Sequence, residues 1–249
     1  MIDLNSDMGE GFGAWRMGDD MALLDIVSSA NIACGYHAGD PRIMARTVAG
    51  AAQRGVTVGA HVSYPDRVGF GRRAMSLTAE ELTTDVLYQI GALEAFARAA
   101  GTRVAYVKPH GALYNRTAVS EEEARAVVEA LRQYGGLALL ALPGSVAQQA
   151  AQAAGVPVVL EAFADRAYGD DAKLVPRREP GSVIHEQDRV VERAVRMATQ
   201  GLVTTRSGKD IAVAPRTLCL HGDTPGAVEL ARAVRDGLQQ AGVEIKAFA

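Results

Sequence analysis

Cysteine is scarce. The 249 residues carry two, Cys34 and Cys219, each inside an apolar run. A disulfide scaffold is excluded on number, and a reduced, cytoplasmic setting is the expectation. An excess of one charge sign is also missing. The formal net charge is −3 and no block of like charges interrupts the chain. A nucleic-acid footprint needs a clustered basic face, so no nucleic-acid partner is expected. No apolar run approaches the roughly 20 residues of a membrane span, so no membrane partner is expected either. The opening residues read as a strand, not as a basic stretch leading into an apolar signal segment. No serine stands in a GxSxG setting. Gly208-Lys209 fails as a P-loop, because Val203 occupies the position of the first glycine and Asp210 follows the lysine. Gly9, Gly11 and Ala14 superficially match a dinucleotide fingerprint, but Met17 to Asp20 follow where a helix should already run. A glycine-rich turn is the better reading.

Apolar residues, by contrast, make up 48% of the chain, enough for the sizeable core of one domain over residues 1–249. Six times an apolar run ends in a burst of acids, histidines or glycines. The runs are Ile2 to Gly13, Ala30 to Asp40, Val56 to Asp66, Val104 to Asn115, Val158 to Tyr168 and Thr217 to Ala227. Parallel β/α proteins gather their chemistry just past the carboxyl ends of the strands, so this recurrence points to an enzyme. The strands predicted are Ile2–Asn5, Asn31–Cys34, Val56–His61, Val104–Val107, Leu137–Leu142, Val156–Glu161 and Thr217–His221. Between them run amphipathic helices with start signals: Asp40-Pro41, Thr78 with Glu81, Ser120 with Glu123, and Thr224-Pro225. Seven short apolar strands alternating with helices suggest a distorted parallel β/α, TIM-like barrel that lacks its eighth strand; an open doubly wound sheet is the alternative. Ala164 to Pro180 is polar and aperiodic, which suggests a long binding loop, a lid or a disordered stretch.

Alternation places Asp3, Asn5 and Asp7 on one face of the first strand. In a closed barrel that face is the interior, with Asp7 at the mouth and Asn5 below. Asp7, His37 and His61 come from three successive strands and suit a one-carboxylate, two-histidine metal set. Without a metal, the same histidines would hydrogen-bond loop or substrate carbonyls. Lys108 ends a buried strand, where a cation must be paired or functional. It can polarise an oxygen, act as a base with lowered pKa, or form an ion pair with Asp7 or Glu161. His110 adds a second titratable group beside it. Glu10, Glu161, Asp165 and the pair His221 and Asp223 complete the polar strand ends, with Asp223 also suited to capping the last helix. His185 lies outside the bursts and reads as a surface or capping residue.

Taken together, DLNSDMGEGFG, SANIACGYHAGDP, GAHVSYPDRVGFGRR, VKPHGALYN, EAFADRAY and LCLHGD resemble the LamB/YcsF family, from Met1 to about Gly242. The resemblance implies a distorted seven-stranded β/α barrel similar to the glycoside hydrolase and deacetylase superfamily. It further implies ATP-dependent cleavage of the lactam 5-oxo-L-proline to L-glutamate, with ADP and phosphate formed, by a complex with 5-oxoprolinase subunits B and C. ATP is thus expected to be consumed by the complex, and a divalent metal is implied only through Asp7, His37 and His61. Such chemistry needs donors at the lactam oxygen, a base for water and an acid for the departing nitrogen. Lys108, His37, His61, His110 and His221 can serve as donors and acid, and Asp7, Glu10 or Glu161 as base. Asn5, Arg72, Arg73, Asn115, Asp165, Arg166 and Asp223 are the expected substrate-binding residues, with the arginines suited to a carboxylate. A stand-alone metal-dependent amide or sugar deacetylase and a non-catalytic ligand-binding subunit are the alternative functions.

Overall fold

Four of the strands run further into the polar bursts than hydrophobicity alone suggests. In the computed structural model, which describes residues 1–220, 222 and 226–249, β1 spans Asp3–Met8, β2 Ser29–Ala33, β3 Thr57–Val62 and β4 Val104–Pro109. They are followed by β5 (Ala138–Ala141), β6 (Val158–Phe163), the short pair β7 (Leu202–Thr204) and β8 (Asp210–Ala212), and β9 (Thr217–Leu220). β1 to β6 and β9 pair in parallel and in that order, and β9 returns to β1, closing a seven-stranded barrel. The open-sheet alternative is thereby excluded. β7 and β8 form a separate antiparallel pair that the sequence pattern did not predict.

Strand parity explains the extra length. Leu4 and Met8 of β1 join the main apolar core. Asp3, Asn5 and Asp7 alternate with them and are tied to polar partners on neighbouring strands. Asp3 accepts from the hydroxyls of Ser28, Ser29 and Thr217. Above it, the Asn5 amide donates to Glu161 (2.9 Å) and Thr217 (2.7 Å), while its oxygen accepts from Asn31 (2.6 Å). Tyr106 donates to Asn31 (2.7 Å), and its ring fits because β3 offers only Gly59 there: a Cβ at that position would fall inside the ring. Polar groups can be buried in this way because each finds a cross-strand partner. Tyr106, Leu140, Val159 and the tail residue Phe248 form a separate apolar plug.

The helices are α1 (Asp20–Leu24), α2 (Pro41–Gln53), α3 (Ala79–Ala99), α4 (Gly111–Thr117), α5 (Glu121–Tyr134), α6 (Val146–Ala153), α7 (Gln187–Gln200) and α8 (Ala227–Gln240). Asp40 caps α2 through the amides of Arg42 and Ile43, with Pro41 in the first turn. Thr78 and Glu81 form the reciprocal box at α3. The expected box at α5 does not form: the Ser120 hydroxyl donates to the Glu123 carboxylate, which Arg116 also holds, and the Ser120 N–H that Glu123 would need is donated to the Arg116 carbonyl. The expected opening of α8 at Thr224-Pro225 lies outside the described residues. None of the helices among the described residues is long and apolar enough to cross a membrane.

Candidate active site

Just inside the mouth, Lys108 lies 3.1 Å from Asp7 Oδ1 and 2.8 Å from Glu161 Oε1. Its ammonium also donates to Asn5 (3.2 Å) and to the Cys219 sulfur (3.0 Å). Burial pulls the lysine toward neutrality, but Asp7, Cys219 and Glu161 outweigh it and raise its pKa well above the usual value. The alternative of a lysine base with lowered pKa is therefore corrected: this group is a fixed cation. Tyr114, one helical turn beyond His110, donates to the other oxygen of Glu161 (2.9 Å).

Three histidines and Glu10 lie beside this ion cluster. One ligand atom from each of Glu10, His37, His61 and His110 falls within 4.8 Å of all the others, and all four residues are buried. His61 Nδ1–H donates to the Lys108 carbonyl (3.0 Å), and His110 Nε2–H donates to the Phe70 carbonyl (2.9 Å). Those bonds fix both tautomers and leave His61 Nε2 and His110 Nδ1 facing each other at 2.9 Å. His37 Nε2 contacts Glu10 Oε1 at 3.0 Å, and its ring stacks on His110. Burial lowers the pKa of His37 and His110 well below the usual histidine value, helped by neighbouring imidazoles. Burial acts the same way on His61, but the charge and hydrogen bond of Asp7, with Glu10, reverse it and raise the pKa. The expected metal trio of Asp7, His37 and His61 is thus not the set that converges. Glu10 supplies the carboxylate and His110 joins, whereas Asp7 is engaged by Lys108 and Asn31.

A cavity of about 540 Å³ opens over these groups. Asp7, Glu10, His61, Arg72, Lys108, His110, Asn115 and Arg166 all line it, as the sequence predicted for a common mouth. Other expected site residues lie elsewhere. Asn5, His37 and Glu161 are buried and do not line the cavity, so they support it from below or behind. Asp165 is buried beside Arg166 and is not a lining residue; its carbonyl accepts from Ile184. Arg73 turns away into an ion pair with Asp66. His221 and Asp223 lie outside the described residues. His185 is exposed just ahead of α7.

Tyr114, Leu142 and Phe163 also form the wall, and none of them was expected from the sequence; the run Lys173 to Arg178, part of the segment expected as a binding loop, a lid or a disordered stretch, lines it too. For Tyr114 the signal was its four-residue spacing from His110. The polar segment from Ala164 is not a loose loop. Arg166 donates to the carbonyls of Val175 (2.7 Å) and Ser182 (3.3 Å), which folds the segment back along the mouth.

A sequence model of the LamB/YcsF family matches residues 2–249. The chain belongs to the LamB/YcsF family. Among its relatives, the 5-oxoprolinase A subunit of Streptomyces avermitilis is 59% identical over 250 residues, covering all of both chains. The corresponding 5-oxoprolinase chain of Streptomyces coelicolor is 58% identical over the same span. The crystal structure of a lactam utilization protein from Thermus thermophilus superposes with a TM-score of 0.95 at 49% identity, over 99% of each chain. A family 4 carbohydrate esterase from Streptomyces lividans gives a TM-score of 0.51 at 13% identity, over all of this chain and 92% of the other. That likeness shows that the LamB/YcsF barrel shares the fold of the esterase, and nothing more.

Proposed function

We propose that this chain is the A subunit of an ATP-dependent 5-oxoprolinase and that its barrel mouth opens the lactam ring. The observation that carries the reading is the combination of full-length identity to 5-oxoprolinase A subunits with a strand-end cavity holding a buried cation, carboxylates and histidines. A lactam is a resonance-stabilised amide, so its hydrolysis needs an activated carbonyl, a base and an acid. ATP, consumed by the complex with subunits B and C, supplies the activation by phosphorylating the lactam oxygen. Lys108 offers a fixed positive charge to the developing oxyanion. Asp7 lines the cavity with its Oδ2 3.4 Å from His61 Nε2, and it takes the proton from water. Asp7 then returns that proton to the departing nitrogen. Arg72, Arg177 and Arg178 line the rim and give the site the positive charge that a carboxylate or phosphoryl group requires.

The test is reconstitution. This chain combined with subunits B and C, ATP and 5-oxo-L-proline is expected to release glutamate, and omission of any one component is expected to stop it. Asp7→Asn is expected to lower kcat by about 10²–10⁴-fold, the usual worth of a positioned proton-transfer group. Undiminished turnover in that variant removes Asp7 from the mechanism. Glutamate formation by the chain alone, without ATP, favours the deacetylase-like alternative instead.

A further inference from the structure

The facing nitrogens of His61 and His110 pose a chemical problem. Each ring gives its only neutral-state proton to a backbone carbonyl, His61 to Lys108 and His110 to Phe70. Two lone pairs are then left 2.9 Å apart in a buried setting. They repel unless a cation, either a proton or a metal ion, lies between them. Glu10 Oε1 is 3.3 Å from the His110 nitrogen and 3.8 Å from the His61 nitrogen. Ligands held at about 2.0–2.1 Å in a tetrahedron are separated by about 3.4 Å, so these three separations bracket the edge of a tetrahedral site.

His37 belongs to the same cluster but not to the same coordination sphere. Its ring lies face to face with His110, with centroids 3.8 Å apart and planes within 7° of parallel. An imidazole lone pair lies in the plane of its ring, so two stacked rings do not both aim at one ion. His37 Nδ1 is buried and has no hydrogen-bond partner among the described residues. Ligation through Nε2 would move the ring proton onto that nitrogen and strand a donor. With the proton on Nε2, His37 donates to Glu10 and leaves only an unpaired acceptor, the milder defect.

We propose that Glu10, His61 and His110 form a binding site for one divalent transition-metal ion of the zinc class, and that His37 positions Glu10 from outside that site. All three ligands come from strand-end segments and line the cavity, and His37 does not. Each ligand has an outer partner: the Lys108 carbonyl for His61, the Phe70 carbonyl for His110, and His37 for Glu10. Hydrogen bonds of this kind orient metal ligands. Three protein ligands are the number found in catalytic zinc sites, and an ion here would supply Lewis-acid polarisation of a carbonyl oxygen in the cavity. Asp7 stays outside the set: Lys108 and Asn31 hold its Oδ1, and its Oδ2, although 3.4 Å from His61 Nε2, does not converge with all the histidine nitrogens as Glu10 does.

The experiment is titration of the chelator-treated full chain with Zn²⁺ against a chromophoric chelator, with Co²⁺ absorption as a second readout. The expected result is one ion per chain and a cobalt spectrum with the intensity of low coordination number. Glu10→Gln and His110→Asn are each expected to weaken Zn²⁺ binding by about 100-fold or more, and Asp7→Asn by less than about threefold. His37→Ala is expected to keep the one-to-one stoichiometry with about 10–100-fold lower affinity, as for loss of an outer partner. The proposal is overturned if the wild type binds no more tightly than Glu10→Gln, if Asp7→Asn is as damaging as Glu10→Gln, or if His37→Ala abolishes binding. Circular dichroism and melting of each variant check folding. Where a buried variant fails to fold, the wild type and Asp7→Asn still decide. Metal content is read without turnover, so its failure leaves the 5-oxoprolinase reading standing, and the reverse holds too.

Discussion

Burying Lys108 with Asp7 and Glu161 leaves one ammonium between two carboxyl groups at the mouth of the barrel. Such a group is costly to dismantle from one side only, because the partner is left charged and unsolvated. Lys108→Met is expected to lower unfolding free energy by roughly 3–5 kcal/mol, the usual cost of breaking a buried pair. Lys108→Met combined with Glu161→Gln is expected to recover part of that loss in urea unfolding while turnover stays abolished. Equal instability in single and double variants would mean that the ion pair is not the source. Residue placement at this scale was legible at the strand ends: Asp7, set at the mouth by alternation, and His61 and Lys108, each ending an apolar run, all line the cavity. Parity gives no help on loops. Arg73 was expected at the substrate, yet Asp66, seven residues earlier, accepts the Arg73 and Gly69 amides and captures the guanidinium as well. The choice of Glu10 over Asp7 beside the histidines was equally hidden, because both acids lie in one burst and only the path of the chain after β1 separates them.

The β2–α2 junction shows how much a single cap can carry. Asp40 accepts from Arg42, Ile43 and, from a distant loop, Gly13 (2.9 Å). The amides of Ile43 and Gly13 hold its carboxyl below the ordinary range. A depressed carboxylate contributes its stability above the unfolded value near 3.9 and loses it as pH falls through the lower folded value. Asp40→Ala is expected to cost about 1 kcal/mol at neutral pH. Asp40→Asn keeps a capping oxygen and is expected to unfold with a flatter acid limb below about pH 4, measured as melting temperature against pH. An unchanged acid limb in the Asn variant removes Asp40 from the titration. Elements with strong local signals, such as α2 and α3, were legible because cap, period and length agreed. α1 and the β7–β8 pair were not, since stretches of five and three residues carry too little pattern and are stabilised by what they pack against. The Ser120–Glu123 pattern misled for a physical reason: Arg116 supplies both a guanidinium for the Glu123 carboxylate and a carbonyl that takes the Ser120 N–H, so neither is left to close the box.

The barrel as a whole depends on filling its interior, and the fit at Gly59 is the most exacting part of it. Gly59→Ala forces the Tyr106 ring out of place, with an expected loss of about 1–3 kcal/mol or more. Addition of Tyr106→Leu is expected to restore part of the stability in denaturant unfolding, since the smaller side chain gives back the space. No recovery would place the strain elsewhere. At this scale the chain itself determined the order of strands and helices, the seven-strand count and the gathering of chemistry at strand ends. Those follow from hydrophobic period and turn signals, which act over a few neighbouring residues. Closure of the sheet, the pairing of Lys108 with two acids, the stacking of His37 on His110 and the folding of Ala164 to Pro180 against the mouth were decided only by tertiary structure. Each depends on groups tens to hundreds of residues apart meeting within about 4 Å, and such distances are set by the curvature of the whole barrel rather than by any local preference.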